Sequence, residues 1–280
     1  MSTMVPPLYA GLVDDASLLP PSPIGLADAV LKFHEHTASW YSDLLGALLL
    51  PASIVGAEPA PRLSAGLIGD VPAAVLPAIV DKLTAAGVAI GHVEAAVARR
   101  GEDPQPGIAA LGSFAAAHPG LRVYAEIPLS WGLLAALDSV AEARDAGLSI
   151  APKFRVGGLA AELFPTPVEL AAVICACRDR GLSFRLAAGL RHATRHTDPE
   201  TGFTHHGFLN ILIASVLAAE GGEVAEVAEA LAATHPVPLV EPARVRRDDP
   251  RPLFTGFGAA NVVEPLTELV RLGLVNGGYE

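Results

Sequence analysis

A lysine and an arginine alternate with apolar residues in a short segment, residues 149–156, which has the pattern of a β-strand. Lys153 and Arg155 fall on one face of this strand, and Ile150 and Phe154 fall on the other. We expect the apolar face to pack on helices, so that both cations point into the interior of the sheet. Burial disfavours a charged amine, and a neighbouring cation lowers the pKa of a lysine further, as a Schiff-base nucleophile requires. Three roles stay open for Lys153: nucleophile, ligand of a substrate anion, or partner of a nearby carboxylate.

Acidic residues end the two predicted strands that precede this one. Alternation places His92 and Glu94 on the inner face of one strand and Glu126 on the inner face of the next. Both carboxylates are then within reach of Lys153 and suit general acid–base chemistry. As an alternative, His92, Glu94 and Glu126 would hold a divalent metal ion. A third interpretation is an ion-pair network with the neighbouring cations.

Further charged residues are predicted to face the same interior. Arg185, in the seventh predicted strand, points inward and would lower the pKa of Lys153 together with Arg155. Asp14 and Asp15 end the first strand, and because adjacent residues point apart, at most one of them joins the site.

Glycines and histidines follow the last two predicted strands. Glycine-rich turns between a strand and a helix expose backbone N–H groups, and barrels often bind phosphate with the loops after strands seven and eight. The histidines of residues 192–206 match no tight zinc-binding spacing, so we expect them to contact substrate or solvent. His206 and Asn210 lie four residues apart and would share a helix face. The predicted anion-binding residues are Arg155, Gly189, Arg191, His192, His206, Asn210, Gly256 and Gly258.

Eight apolar runs and eight amphipathic stretches alternate along the chain, which is typical of a parallel sheet. The predicted strands are residues 9–13, 47–50, 63–68, 88–93, 121–127, 149–156, 183–188 and 252–255. The predicted helices are residues 25–40, 72–86, 108–117, 132–146, 167–180, 206–219, 224–234 and 262–272. We therefore predict one α/β domain over residues 1–280, a (β/α)8 TIM barrel, whose active site lies at the carboxyl ends of the strands.

Three segments depart from this pattern. The second βα unit is irregular, since residues 51–62 are too few and too rich in Pro and Ala for a normal helix. Residues 191–204 and 241–251 are expected to be polar insertions, the first at the active-site face and the second at the opposite face.

Composition excludes several classes of protein. The net charge of the 280-residue chain is -11 without a basic stripe, which argues against nucleic-acid binding. Mean hydropathy is high, +0.42, but no apolar run reaches the length of a membrane span. We attribute the apolar surplus to the barrel, with room for a homo-oligomer interface. Cys175 and Cys177 lie two residues apart on a predicted helix and do not face each other, so we expect no disulfide bond between them. The first residues show no signal peptide. Both observations lead us to expect a cytoplasmic protein.

Three short strings resemble the class I, Schiff-base aldolases with barrel folds, such as the deoxyribose-phosphate aldolase family. They are Lys153 at the end of the sixth strand, Ala188-Gly189-Leu190-Arg191 and Thr255-Gly256-Phe257-Gly258. The resemblance implies a reactive lysine, phosphate loops and no cofactor. The chain departs from the family at Arg185, which stands where the family has a second lysine, and at Phe-Arg-Val-Gly-Gly after Lys153. Lys-Phe-Arg-Val-Gly-Gly and His-Gly-Phe-Leu-Asn are also similar to strings of uncharacterised bacterial barrel proteins.

The leading hypothesis is a lyase of the aldolase type that acts on a small anionic oxo-compound, phosphorylated or carboxylated. Lys153 would be the nucleophile, Glu94 or Glu126 the acid–base group, and Arg185 and Arg155 the cations that lower the pKa of the amine. One alternative is a metal-dependent lyase or isomerase that uses His92, Glu94 and Glu126. The other is a barrel that binds a ligand without catalysis, suggested by Arg185 where an aldolase would need lysine.

Overall fold

Strands and helices alternate because each strand of a buried parallel sheet needs a helix to cover its outer face. The computed structural model describes residues 4–21, 23–55 and 63–277, and the elements below lie in these ranges. The strands are β1 (Val13–Asp15), β2 (Leu45–Pro51), β3 (Ser64–Gly69), β4 (Ala89–Ala96), β5 (Arg122–Glu126), β6 (Ile150–Arg155), β7 (Phe184–Ala187), β8 (His196–Thr197), β9 (Thr204–His205) and β10 (Phe254–Ala259).

Eight of these strands form a closed barrel, in the order β1, β10, β7, β6, β5, β4, β3 and β2, with β2 pairing again with β1. All eight pairings are parallel. The predicted α/β fold, a (β/α)8 barrel, is thereby confirmed. The two short strands β8 and β9 pair antiparallel in a hairpin that follows β7.

Helices surround the barrel and bury apolar residues against it. Phe208 of one such helix stacks on Phe257 of β10, with ring centroids 5.7 Å apart. The helices are α1 (Leu26–Thr37), α2 (Leu76–Ala85), α3 (Gln105–Ala117), α4 (Leu133–Asp145), α5 (Pro167–Asp179), α6 (Phe208–Ala219), α7 (Val224–Ala232), α8 (Val237–Val245) and α9 (Val263–Arg271). None of the helices in the described ranges is long and apolar enough to cross a lipid bilayer.

Observed and predicted positions differ for the first and last barrel strands and within the predicted insertion 241–251. β1 begins at Val13, because residues 7–9 form a turn of 3-10 helix rather than the start of a strand. The last barrel strand runs over residues 254–259 instead of 252–255. Helix α8 occupies part of the predicted insertion 241–251. It buries Leu239, Val240 and Ala243 on one side, and its internal Pro242 conceals this apolar face in the sequence.

The link between β2 and β3 contains no α-helix in the residues that the structure describes. A single turn of 3-10 helix, Ala52–Ile54, follows β2. The rest of the predicted irregular link, residues 56–62, lies outside the described residues.

Candidate active site

The charged residues of four neighbouring strands lie side by side because the strand register aligns them. Glu126 of β5 is paired in register with Lys153 of β6, and Lys153 is paired with Arg185 of β7. Glu94 of β4 is in register with Tyr124, two residues before Glu126. Side chains two residues apart on a strand share a face, so the four charged side chains converge inside the barrel.

Lys153 forms ion pairs with two carboxylates from the two preceding barrel strands. Its Nζ lies 2.8 Å from Oε2 of Glu94 and 2.7 Å from Oε2 of Glu126. The side chains of Lys153 and Glu94 are only 7% and 3% exposed, whereas that of Glu126 is 18% exposed. The ammonium is therefore enclosed, and Glu126 is the partner that lies nearer to solvent.

The ion pairs continue in both directions from this lysine. Towards the interior, Arg185 Nε lies 3.0 Å from Oε1 of Glu94, and the same guanidinium contacts the carboxylate of Asp14. Towards the mouth, Nε and Nη2 of Arg155 both lie 3.1 Å from Oε1 of Glu126. We call this alternation of acids and bases the charge line: Asp14, Arg185, Glu94, Lys153, Glu126 and Arg155.

The charge line keeps its central groups ionised. Burial alone would raise the pKa of Glu94, but the Lys153 ammonium, together with His92, lowers it to about 2. Burial alone would lower the pKa of Lys153, but Glu94 and Glu126 outweigh burial and raise it. Burial likewise opposes ionisation of Glu126, yet Lys153 and Arg155 hold its pKa below the usual value. In this arrangement the lysine carries a proton at neutral pH.

Arg185 is fixed between the acids and an aromatic ring. Its guanidinium carbon lies 5.0 Å from the centroid of the Tyr124 ring. Burial, and then the charge of Arg251, lower the pKa of Arg185 to about 9, so the group stays charged at neutral pH. A guanidinium that is charged and doubly paired is a poor proton shuttle, and its role here is to hold Asp14 and Glu94 in place.

A cavity of ≈ 140 Å³ opens beside the outer end of the charge line. It is bounded by the carboxyl ends of β4, β5 and β6 and by the loops that follow them. Glu126 and Arg155 contribute to its wall, which connects the cavity to the partners of Lys153. The full lining is Ala96, Ala98, Arg100, Glu126, Ile127, Pro128, Leu129, Arg155, Glu162 and Leu163.

The expected metal-binding set is not formed as predicted. Among the described residues, one group of three ligand-type side chains has its ligand atoms within 4.8 Å of one another: Asp14, His92 and Glu94. Glu126 is not in this group, and its carboxylate contacts Lys153 and Arg155 instead. The buried Nε2 of His92 lies 3.2 Å from Oε1 of Glu94, yet it has no hydrogen bond of acceptable geometry. The set does not suit a cation, because the Arg185 guanidinium already contacts both carboxylates.

Two residues predicted to bind substrate are used by the fold. His206 is 1% exposed, precedes α6 rather than lying on it, and shares a hydrogen bond of 2.8 Å through Nε2 with the carbonyl oxygen of Pro165. Burial lowers its pKa to about 4. Asn210 accepts from the backbone N–H of Arg195 and donates to the carbonyl oxygens of Ala230 and Ala233. Their polar atoms thus join loop 191–204 to the segment before α5 and to the end of α7. That both bind an anion stays a prediction.

The glycines predicted to cradle a phosphate also have other roles. Gly256 and Gly258 lie within β10, not in a loop after it. A side chain at Gly256 would come within 2.7 Å of the Leu12 carbonyl oxygen, and one at Gly258 within 2.8 Å of the Leu49 side chain. Both positions therefore require glycine for close packing against neighbouring segments. The predicted last strand ended at residue 255, so both glycines were assigned to the loop after it instead of to β10.

The loop after β7 carries the remaining predicted residues. Gly189 has a φ of 77°, and a side chain there would come within 2.9 Å of Nδ1 of His205 in the β8–β9 hairpin. Arg191 and His192 are exposed, and the rings of His192 and His196 are 4.2 Å apart between centroids. These residues border the mouth on the side of the hairpin and do not line the cavity.

Sequence reasoning missed Arg100 and left Asp14 as one of two choices. Asp14 joins the charge line, while Asp15 accepts a hydrogen bond from the backbone N–H of Ser17, as expected if only one of the pair faces inward. Arg100 lies in the loop after β4, which extends to Ala96 instead of ending at Val93. A longer β4 would have placed Arg100 at the catalytic face of the barrel.

No protein-family model matches the chain, and no curated protein matches it significantly.

Proposed function

We propose that this barrel is a lyase of the aldolase type, in which the amine of Lys153 forms a Schiff base with a small anionic oxo-compound. The observation that carries the proposal is the position of Nζ, buried near the carboxyl end of β6 and within 2.8 Å of two carboxylates. Enzymes of this fold place their catalytic groups at these strand ends. A carboxylate in contact with an amine accepts the proton of the amine and later returns it.

The first step requires a neutral amine. Glu126, 2.7 Å away and closer to the cavity than Glu94, accepts one proton from the ammonium. The nitrogen lone pair then adds to the carbonyl carbon of the substrate. Glu126 returns its proton to the former carbonyl oxygen, which leaves as water with a second proton from the nitrogen. The product is an iminium ion that joins Nζ to the substrate carbon.

The second step breaks a carbon–carbon bond of the substrate. A carboxylate, for which Glu126 is best placed, removes the proton of the hydroxyl group on the β-carbon. The electrons of the bond between the α- and β-carbons move to the iminium nitrogen, an aldehyde leaves, and an enamine remains on Lys153. Protonation of the enamine carbon and addition of water release the second product and restore the amine.

Trapping with borohydride tests this proposal directly. The chain has three lysines, of which Lys32 and Lys82 are exposed. Incubation with a panel of carboxylated, phosphorylated and uncharged aldehydes and ketones, followed by reduction and peptide mass mapping, should give an adduct on Lys153. The variant Lys153→Arg should give none, and Lys82→Arg should behave as the wild type. If no compound of the panel forms an adduct on Lys153 although some bind, the protein is a binding barrel and the proposal is wrong.

A further inference from the structure

The geometry points to a short 2-oxo acid as the compound that reacts with Lys153, held through its carboxylate by Arg155 and Arg100. This inference rests on the Schiff-base function proposed above. It narrows the class of substrate, which the sequence analysis left open between phosphorylated and carboxylated oxo-compounds.

The carboxylate of Glu126 indicates the spacing that a ligand must have. Its Oε1 contacts Arg155 at 3.1 Å, and its Oε2 contacts the amine of Lys153 at 2.7 Å. These two oxygens are separated by two covalent bonds through one carbon. In a 2-oxo acid, a carboxylate oxygen and the carbonyl carbon are likewise separated by two bonds. Such a ligand matches this spacing, with its carboxylate on Arg155 and its reactive carbon at Nζ. Lys153 does not itself line the cavity, so the ligand reaches Nζ only when Glu126 moves aside.

A 3-oxo acid or an uncharged aldehyde does not share this fit. The additional carbon of a 3-oxo acid moves the carbonyl one bond farther from the carboxylate. An uncharged aldehyde offers nothing that competes with Glu126 for Arg155. An anionic ligand does compete, because the guanidinium then exchanges one carboxylate for another.

Arg100 provides a second, fixed cation on the cavity wall. Its Nη1 donates to the carbonyl oxygens of Leu129 and Glu162, at 3.1 and 3.0 Å, so the loops after β5 and β6 hold the guanidinium in place. Within the described residues Arg100 forms no ion pair, although it lines the cavity with Arg155 and Glu126. A guanidinium without an acidic partner beside a cavity favours an anionic ligand.

The size and the remaining wall of the cavity favour a carboxylate over a phosphate ester. A cavity of about 150 Å³ accommodates benzene, which has six heavy atoms, and pyruvate has the same number. The rest of a longer substrate would extend through the open side of the cavity. The wall also contains Ala96, Ala98, Leu129 and Leu163, which suit a methyl or ethyl group. Gly256 and Gly258, one half of the predicted phosphate cradle, belong to β10 and not to a loop after it.

The test compares ligands and arginine variants in one trapping assay. The panel is pyruvate, 2-oxobutyrate, acetoacetate, acetaldehyde and dihydroxyacetone phosphate, each reduced with borohydride and mapped on Lys153. We expect adducts with the two 2-oxo acids at the lowest concentrations. Arg155→Gln and Arg100→Gln should each raise the concentration of pyruvate for half-maximal trapping tenfold or more. The control Arg99→Gln, at an exposed neighbour, should leave it unchanged.

The results of this assay distinguish a failure of the 2-oxo acid inference from a failure of the proposed Schiff-base function. Adducts with acetaldehyde or the phosphate ester at lower concentrations than with pyruvate overturn the 2-oxo acid and leave the Schiff-base lysine standing. Adducts with pyruvate that neither arginine variant weakens overturn the placement of the carboxylate. A complete lack of adducts on Lys153 overturns the proposed function itself.

Discussion

A lysine ammonium that touches two carboxylates gains little by releasing its proton, and Lys153 is such a group. Its reactivity must therefore depend on what happens to Glu126, the more exposed of the two acids. A ligand that takes Arg155 from Glu126 removes a charge that lowers the pKa of Glu126, so Glu126 then accepts a proton from the amine more readily. In this arrangement, binding of the substrate and deprotonation of Lys153 are coupled through one carboxylate.

The variant Glu126→Gln tests this coupling at the level of single residues. Burial by itself lowers the pKa of Lys153, and the amide removes one of the two charges that raise it. We expect the pH at which borohydride trapping becomes half-maximal to fall, while the turnover of any substrate decreases because the acid–base group is lost. Glu162→Gln, at an exposed residue of the same cavity wall, should leave the pH dependence unchanged. An unchanged profile in Glu126→Gln would show that Glu126 does not control the amine.

Lys153 also contributes to the stability of the fold. Removing one partner of a buried ion pair costs about 3 to 5 kcal/mol, so Lys153→Met should lower the free energy of unfolding by this amount at pH 7. Glu94 has a folded-state pKa of about 2, below the usual 4.5, so its contribution is complete above pH 4.5 and is lost as the pH falls through 2. The difference between wild type and variant should therefore shrink below pH 4.5.

Urea denaturation at pH 7, 5 and 3 measures this difference. Lys82→Met, at an exposed lysine, serves as the control and should differ little from wild type at each pH. A stability difference that stays constant from pH 7 to pH 3 would contradict the assignment of the effect to the ionised carboxylates.

At the scale of elements, the β8–β9 hairpin depends on a close approach at Gly189. This residue has a φ of 77°, and a β-carbon there would lie 2.9 Å from the ring of His205. Gly202 has a similar φ of 72° and open space around its α-carbon. Gly189→Ala therefore combines backbone strain with a steric clash, whereas Gly202→Ala has strain alone.

The two alanine variants should thus differ in stability. A substitution of glycine at positive φ costs about 1 kcal/mol by itself, and we expect Gly189→Ala to cost more than Gly202→Ala. Thermal unfolding followed by circular dichroism gives the comparison. Hydrogen exchange of hairpin amides should increase more in Gly189→Ala than in Gly202→Ala, although Gly202 lies in the turn of the hairpin itself. Equal losses in the two variants would indicate that the hairpin does not pack on the loop after β7.

The elements were predictable where their patterns are simple. The alternation of Lys153 and Arg155 with apolar residues fixed β6, and similar alternation in β4 and β5 brought Glu94 and Glu126 to the same place. Prediction failed where glycine or proline interrupts an element. Gly256 and Gly258 made a barrel strand resemble a loop, and Pro242 concealed α8.

The partners within the site could not be predicted in the same way. Whether Lys153 pairs with one carboxylate or two depends on the stagger between strands, which a single sequence does not show. The uses of His206 and Asn210 depend on contacts with segments 20 to 40 residues away. A sequence alone does not distinguish a polar loop residue that binds a ligand from one whose hydrogen bonds fix the conformation of the loop.

At the scale of the whole molecule, the two thiols report on the integrity of the barrel. Cys175 and Cys177 are 4% and 0% exposed, and burial raises the pKa of both thiols. We expect both to react slowly with a thiol reagent at pH 8 in the folded protein and both to react at once in denaturant. A native protein in which Cys175 reacts as fast as a free thiol would contradict the packing of α5 against α7.

The charge line has one further consequence for the proposed reaction. It places three acids and three bases in alternation, so its charges balance whenever Nζ carries one positive charge. The protonated imine of a substrate carries the same unit charge as the ammonium that it replaces. The carboxylates that oppose the neutral amine therefore stabilise the covalent intermediate as well as the resting lysine. The site would therefore stabilise the ammonium and the protonated imine equally. It would raise the energy of the neutral amine, which lies between them in the reaction.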